Sequence, residues 1–410
     1  MDAEHANPTR RPVAVALGAT VTASGATALP ATGAPAPATA PGATARASSG
    51  APQSGGLLDR FGRVATDLRV SVIDKCNLRC TYCMPADGMP WLPQTQLMST
   101  DEIRRIVRVA VQSLGAEELR ITGGEPLVRK DLEFIIAGIR EDNPDLPISM
   151  TTNAVGLDRR AQALKDAGLT RLNVSLDTLH PETFAELTRR PHLDKVLAGL
   201  QAARAAGLGP IKINAVLLRG INDTEIVSLV DWAVTNGFEM RFIEDMPLDG
   251  DRSWTATNVI AARDIRSEIE TAFSLTPDPR GRGAAPAERW EVRRPGETAV
   301  AGHIGIISSV TEPFCAACTR TRVTADGKVR SCLFSHEETD LLSTLRAGLG
   351  PHGIAPDLLS TLRAGADDEG IAQVWRDAMW AKPRAHGSDR VGLARADFVQ
   401  PERTMSAIGG

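Results

Sequence analysis

Residues 118–141 read ELRITGGEPLVRKDLEFIIAGIRE, and they hold one complete strand–turn–helix unit. Leu119 and Ile121 alternate with Arg120 and Thr122, the period of a strand with one apolar and one polar face. Gly123-Gly124 supply the turn, and a helix is expected over 131–141. The same order recurs on both sides, with β-rich runs at DLRVSVI (67–73), PISMTTN (147–153), RLNVSLD (171–177), IKINAVLL (211–218) and EMRFIEDM (239–246). Helical patterns lie between them. The clearest is 99–115, where Ser99 and Glu102 make a capping box and Gly115 ends the helix. Others fall near 158–168, 194–207 and 224–237. Six β-α repeats require a parallel sheet, and right-handed crossovers curl it into an α/β fold of the partial (β/α)6, TIM-like barrel type.

The polar faces of these strands carry a second message. Arg69 and Ser71, Arg120 and Thr122, Ser149 and Thr151, Asn173 and Ser175, and Lys212 and Asn214 all alternate with apolar neighbours. A closed eight-stranded barrel fills its centre with branched apolar side chains. Here cations and hydroxyls point inward. A solvated sheet face is the competing account, but parallel connections cover sheets with helices. A wet, ligand-filled barrel is therefore expected.

The chain has 410 residues and a net charge of −4, so nothing global points to nucleic acid or an anionic membrane, and any anion site must be local. No apolar run is long enough to span a bilayer. Residues 1–57 are rich in Ala, Thr, Gly and Pro and read as a disordered low-complexity tail. Arg10-Arg11 resemble an export signal, but no leucine-rich stretch follows them. A barrel domain is expected over 58–250 and a C-terminal α+β extension over 251–410. In the extension, RTRVTADGKVRSCLF reads as a hairpin turning at Asp326-Gly327. The nonamer DLLSTLRAG occurs at 340–348 and again at 357–365, which suggests an added helical turn or loop on the surface.

All six cysteines fall into two triads, Cys76, Cys80 and Cys83 as C-x3-C-x2-C, and Cys315, Cys318 and Cys332 as C-x2-C-x13-C. The Asp326-Gly327 hairpin would bring the second triad together. Disulfides fit poorly with such tight odd-numbered groups in a chain read as non-secreted. Zinc takes four ligands, and only His303 or His336 stands near enough in sequence to complete the second triad. Iron–sulfur clusters take cysteine thiolates, and three ligands leave one iron open.

CNLRCTYCMP (76–85) resembles the cluster motif of the radical S-adenosylmethionine enzymes, and TGGEPL (122–127) resembles their methionine-binding motif. With the second triad, RFIEDMPLDG (241–250) and the final Gly409-Gly410, residues 58–410 resemble the GTP 3′,8-cyclase family of molybdenum cofactor biosynthesis. The long tail and the duplicated nonamer are the departures.

The resemblance implies two 4Fe–4S clusters, one on Cys76, Cys80 and Cys83 and one on Cys315, Cys318 and Cys332. It implies S-adenosylmethionine at Tyr82, Gly124, Ser175 and Met246. GTP would meet Arg69, Arg120, Thr151, Lys212, Arg320 and Arg322, the arginines suiting a triphosphate. The first triad with Arg320 and Arg322 would carry the catalysis: a 5′-deoxyadenosyl radical takes the C3′ hydrogen and C3′ attacks C8 of guanine. Gly409-Gly410 would thread into the cavity. A flavodoxin- or ferredoxin-type reductant, a cyclic pyranopterin monophosphate synthase receiving the product, a homodimer and a cytoplasmic location complete the expectation, with neither nucleic acid nor membrane as partner. A peptide-modifying maturase of the same superfamily and a non-catalytic metal-binding scaffold are the rival readings.

Overall fold

The computed structural model describes residues 50–346, 368–390, 392–393, 395 and 397–409. Most of the N-terminal tail, the second nonamer copy and Gly410 lie outside the described residues.

The six expected strands form where the alternation puts them: β1 (Asp67–Ser71), β2 (Glu118–Thr122), β3 (Ile148–Thr152), β4 (Arg171–Ser175), β5 (Ile211–Leu217) and β6 (Glu239–Glu244). Each pairs in parallel with the next. Their apolar members, among them Leu68, Ile121, Met150, Val174, Ile213 and Phe242, are fully buried. They pack with α1 (Thr100–Gln112), α2 (Leu132–Asp142) and the other helices in one core. Between these lie α3 (Ala161–Asp166), α4 (Pro181–Thr188), α5 (Leu193–Ala205) and α6 (Ile226–Thr235). The capping box forms: Ser99 Oγ accepts from the Glu102 amide, and the Glu102 carboxylate accepts from the Ser99 amide at 2.7 Å.

After α7 (Ala262–Glu270) come β7 (Ser274–Pro277), β8 (Glu288–Arg293), β9 (Gly302–Ile307), β10 (Arg320–Val323), β11 (Lys328–Arg330) and β12 (Thr339–Asp340). These strands do not form a layer of their own. β9 pairs in parallel with β6, and β10 pairs in parallel with β1. The result is a 12-stranded sheet in the order β12-β11-β10-β1-β2-β3-β4-β5-β6-β9-β8-β7. Its parallel centre is flanked by antiparallel ribbons, and among the described residues no ladder joins the two outer edges. The barrel expectation thus becomes a long sheet that the C-terminal region extends from both sides.

Two expectations change here. The segment 50–57, assigned to the tail, is anchored at two points: Ala51 is buried, and Leu57 is fully buried and pairs with Ala65. Arg376 in α9 (Asp368–Trp380) donates to the Gly55 carbonyl at 2.9 Å. A leucine pair at the end of a Gly/Ser run gives no compositional sign of its burial. The first nonamer copy is also no surface ornament. It forms α8 (Leu342–Arg346), buries Leu342 and Leu345, and sets Arg346 2.6 Å from the capping carboxylate of Glu102.

Candidate functional site

β1, β2 and β10 bring their polar positions into one row. In register, Arg322 on β10 lies beside Arg69 on β1, which lies beside Arg120 on β2. One step along, Arg320 lies beside Asp67. Like charges set directly side by side destabilise a sheet, so this row needs an anion. Burial, with Arg69 adding to it, pushes Arg120 down from its ordinary value, and the same two causes push Arg322 well below its own. Burial tends to raise the Asp67 carboxyl, but Arg69, Arg120, Arg320 and Arg322 outweigh it and hold the group below its usual range. Arg69 Nε, Arg120 Nε and Asn173 Nδ2 are buried with no partner. A surplus of buried donors suits a polyanion.

The cavity below this row is lined by Arg69, Arg120, Thr151, Ser175, Tyr82 and Met246, and equally by Cys315, Cys318, Cys332, Arg320 and Arg322. Five expected residues stand outside that lining: Cys76, Cys80 and Cys83 on the loop that carries Tyr82, and Lys212 and Gly124. Lys212 sits on β5 in register with Asn173 and Glu239; burial first, then Arg241, pulls its ammonium down to about 8. Gly124 faces the backbone instead: a Cβ there would lie 2.3 Å from the Asp74 carbonyl oxygen and 2.5 Å from that of Lys75. Its amide donates to the Ile73 carbonyl at 2.7 Å. The glycine is required by close approach to the segment that leads into Cys76, more than by the turn itself.

The first triad sits on the loop after β1. Cys83 and Met84 amides both donate to the Cys80 carbonyl, at 3.0 and 3.1 Å, which folds the loop into a tight turn. Burial, followed by Glu125, pushes the Cys76 thiol up to about 11, and burial, followed by Cys76, pushes Cys83 up to about 12. Tyr82, between two of these cysteines, reaches the cavity and donates to Asp177 Oδ2 at 2.7 Å; Asp177 Oδ1 accepts from the Val216 amide at 2.9 Å.

The second triad behaves differently. Cys315 and Cys318 flank a short 3-10 turn before β10, and Cys332 follows β11. The expected hairpin between them forms, with Arg322 opposite Arg330 and Gly327 at φ +69°. Burial works to raise Cys318, but Arg320 and then Lys382 overcome it and bring the thiol down to about 6. All six cysteines are free, so no disulfide forms. Neither histidine considered for zinc joins the triad: His303 lies 4.0 Å from Asp278, and His336 Nε2 is 3.2 Å from the Val399 carbonyl. His386 does line the cavity, but its ring nitrogens are taken by the Ser309 carbonyl and the Gly392 amide, each at 3.0 Å. Two sets of three thiols, with no fourth protein ligand among the described residues, fit clusters with one open iron.

The chain's end closes the site. In α10 (Met405–Ile408), Ser406 lies beside the first triad, and its polar groups oppose the upward push on the Cys83 thiol. Gly409, at φ +85°, follows it between β1 and β2.

Sequence reading missed Arg241, Asp177, Lys382 and His386. Arg241 alternates with Met240 and Phe242 and lines the cavity, so the rule that found Arg120 would have found it. Asp177 falls on the polar side of RLNVSLD, two residues past the end of β4, and the alternation marks its direction without giving it a role. Lys382 and His386 carry no local signal.

The Radical SAM superfamily model matches residues 70–233, and the Molybdenum Cofactor Synthesis C model matches residues 238–355. A GTP 3′,8-cyclase of Paenarthrobacter nicotinovorans is 60% identical over 361 residues, 87% of this chain and 97% of that one. Those of Mycolicibacterium smegmatis and Streptomyces coelicolor are each 50% identical. They cover 88% and 86% of this chain and 93% and 96% of their own lengths.

Proposed function

Because the chain belongs to the GTP 3′,8-cyclase family of the radical S-adenosylmethionine superfamily, we propose that its own cavity performs that cyclisation, the first step of molybdenum cofactor biosynthesis. The observation that carries the reading is the cation row. Arg322, Arg69 and Arg120 stand side by side over a cavity that also holds the second triad and Tyr82 of the first.

When bound at the two triads, 4Fe–4S clusters supply the electron that opens the S-adenosylmethionine sulfonium and an open iron for the guanine. The chain's residues do the rest. Arg69, Arg120, Arg320, Arg322 and Lys212 bind the triphosphate and neutralise one another's repulsion through it. Thr151 adds a hydroxyl. Tyr82, fixed by Asp177, with Ser175 and Met246, holds S-adenosylmethionine on the side of the first triad, and Gly124 lets its loop lie close. Ribose C3′ then faces the deoxyadenosyl group, loses its hydrogen and bonds to guanine C8; one electron, supplied in the end by the external reductant, and one proton to the resulting purine nitrogen radical give 3′,8-cyclo-7,8-dihydro-GTP. Holding both substrates in one closed cavity supplies the proximity such a step needs. The reductant is of flavodoxin or ferredoxin type, the product passes to the cyclic pyranopterin monophosphate synthase, and the protein works in the cytoplasm, as a homodimer where it assembles. Among the described residues no helix is long and apolar enough to cross a membrane.

The test uses anaerobically reconstituted protein, reductant, S-adenosylmethionine and GTP deuterated at C3′. Deuterium in the 5′-deoxyadenosine supports the assignment of radical, carbon and substrate together. Unlabelled 5′-deoxyadenosine rejects the substrate assignment, and none at all from cluster-loaded protein rejects the enzyme reading.

A further inference from the structure

Residues 382–387 lie beyond both family matches and strap the second triad. Lys382 follows α9 and is only 2% exposed. Its ammonium donates to the Arg320 carbonyl at 2.9 Å and the Cys318 carbonyl at 3.3 Å, and lies 3.4 Å from Cys318 Sγ. Arg320 Nε approaches the same sulfur at 3.4 Å. Gly387 packs so closely on Phe334, two residues past Cys332, that a Cβ would lie 2.0 Å from the Phe334 carbonyl oxygen. Arg63 grips the strap from the far side, donating at 2.8 Å to the carbonyls of Cys315, Pro383 and Arg384. The strap thus touches the Cys318 and Cys332 loops directly and is joined to the Cys315 loop through Arg63.

A buried ammonium is costly unless a negative charge answers it. Among the described residues Lys382 has two carbonyls and a sulfur as partners and no carboxylate within ion-pair distance. The answering charge must come from the thiolate and whatever that thiolate holds. We infer that Lys382 is a positioning and tuning residue of the second cluster: its charge, delivered to the Cys318 sulfur, stabilises the more negative reduced state and raises the reduction potential. Hydrogen bonds to cluster sulfurs and nearby charge are the protein's means of setting such potentials. The inference rests on the reading that the second triad holds a cluster.

The test uses the full chain carrying C76A, C80A and C83A, so that iron can sit only at the second triad. Lys382→Met, Lys382→Gln and Lys382→Arg are reconstituted anaerobically, assayed for iron and sulfide, and titrated with dithionite while the paramagnetic signal is followed. The Met and Gln variants are expected to become reducible only at more negative potential, with Arg close to the parent. An unchanged potential in iron-replete Met and Gln variants overturns the inference. If K382M holds no iron, K382Q, which keeps a donor for the Arg320 carbonyl, decides by the same criterion. Loss of iron from both neutral variants with retention in K382R supports the charge requirement; loss from all three overturns it. A parent without iron is a separate failure, that of the cluster reading itself.

Discussion

Arg322 donates a hydrogen bond of 3.0 Å to the carbonyl oxygen of Gly409, so the end of the chain is tied to the cation row beneath which the substrate is placed. The arginine is buried among like charges, and the Gly409 carbonyl takes one of its donors. Met405, four residues earlier, lines the cavity, so the tail is part of its wall.

Gly409 should not tolerate a side chain. A Cβ would lie 2.5 Å from Thr122 Oγ1 and 3.0 Å from Ser71 Cβ, at a φ of +85°. Gly409→Ala is expected to cost about 1–3 kcal/mol of tail docking, roughly a tenfold to hundredfold loss of the docked state. Cyclised product should fall accordingly, with the C-terminus opened to carboxypeptidase. Unchanged turnover would show that the docked tail is dispensable.

Removing one cation from the row should have opposite effects on the free and liganded protein. Arg120→Met relieves repulsion with the adjacent Arg69, so the ligand-free melting temperature should rise. GTP should bind more weakly by about 1.5–3 kcal/mol, the range for a hydrogen bond to a charged group. Calorimetry and thermal melts on the same preparations read both signs. A fall in ligand-free stability would contradict the frustrated-row account.

Lys212 sets a pH dependence. Its folded pKa is lowered from 10.5 to about 8, by burial first, so the unfolded chain binds more protons between those two values. Ligand-free stability should therefore rise as pH climbs through that window. GTP, which needs the charged ammonium, should bind progressively more weakly above pH 8. Lys212→Met should flatten both curves, and binding that stays pH-independent in the parent would remove Lys212 from the phosphate site.

Gly124 offers a test of the first triad alone. Its close contacts are with the backbone oxygens of Asp74 and Lys75, which cannot swing aside as a side chain could. Gly124→Ala should push the Cys76 loop outward and lose the first triad's share of iron while the second keeps its own. Iron analysis on this variant beside a Cys315→Ala control separates the two. Full loading of both triads would mean that the loop absorbs the methyl group.

The local pattern of residues determined most of what can be said before the chain is folded. Alternation with period two marked six strands, and it marked Arg69, Arg120, Thr151 and Lys212 as inward because side-chain direction on a strand depends only on position along it. The cysteine spacings marked both triads for the same reason. Other features were decided by contacts between distant segments. That Arg322 lies beside Arg69 follows from β10 pairing with β1. Lys382 reaches Cys318 across a sequence separation of 64, and Arg63 reaches Cys315 across 252. Leu57 is buried because α9 and the Val64–Ala65 strand cover it. Spacing along the chain carries information over a few residues; which remote segments meet is fixed only when the sheet closes its pairings and the core excludes water. The strands and the thiols were therefore legible in sequence. The charge that faces Cys318, and the row that sets three arginines side by side, exist only in the folded chain.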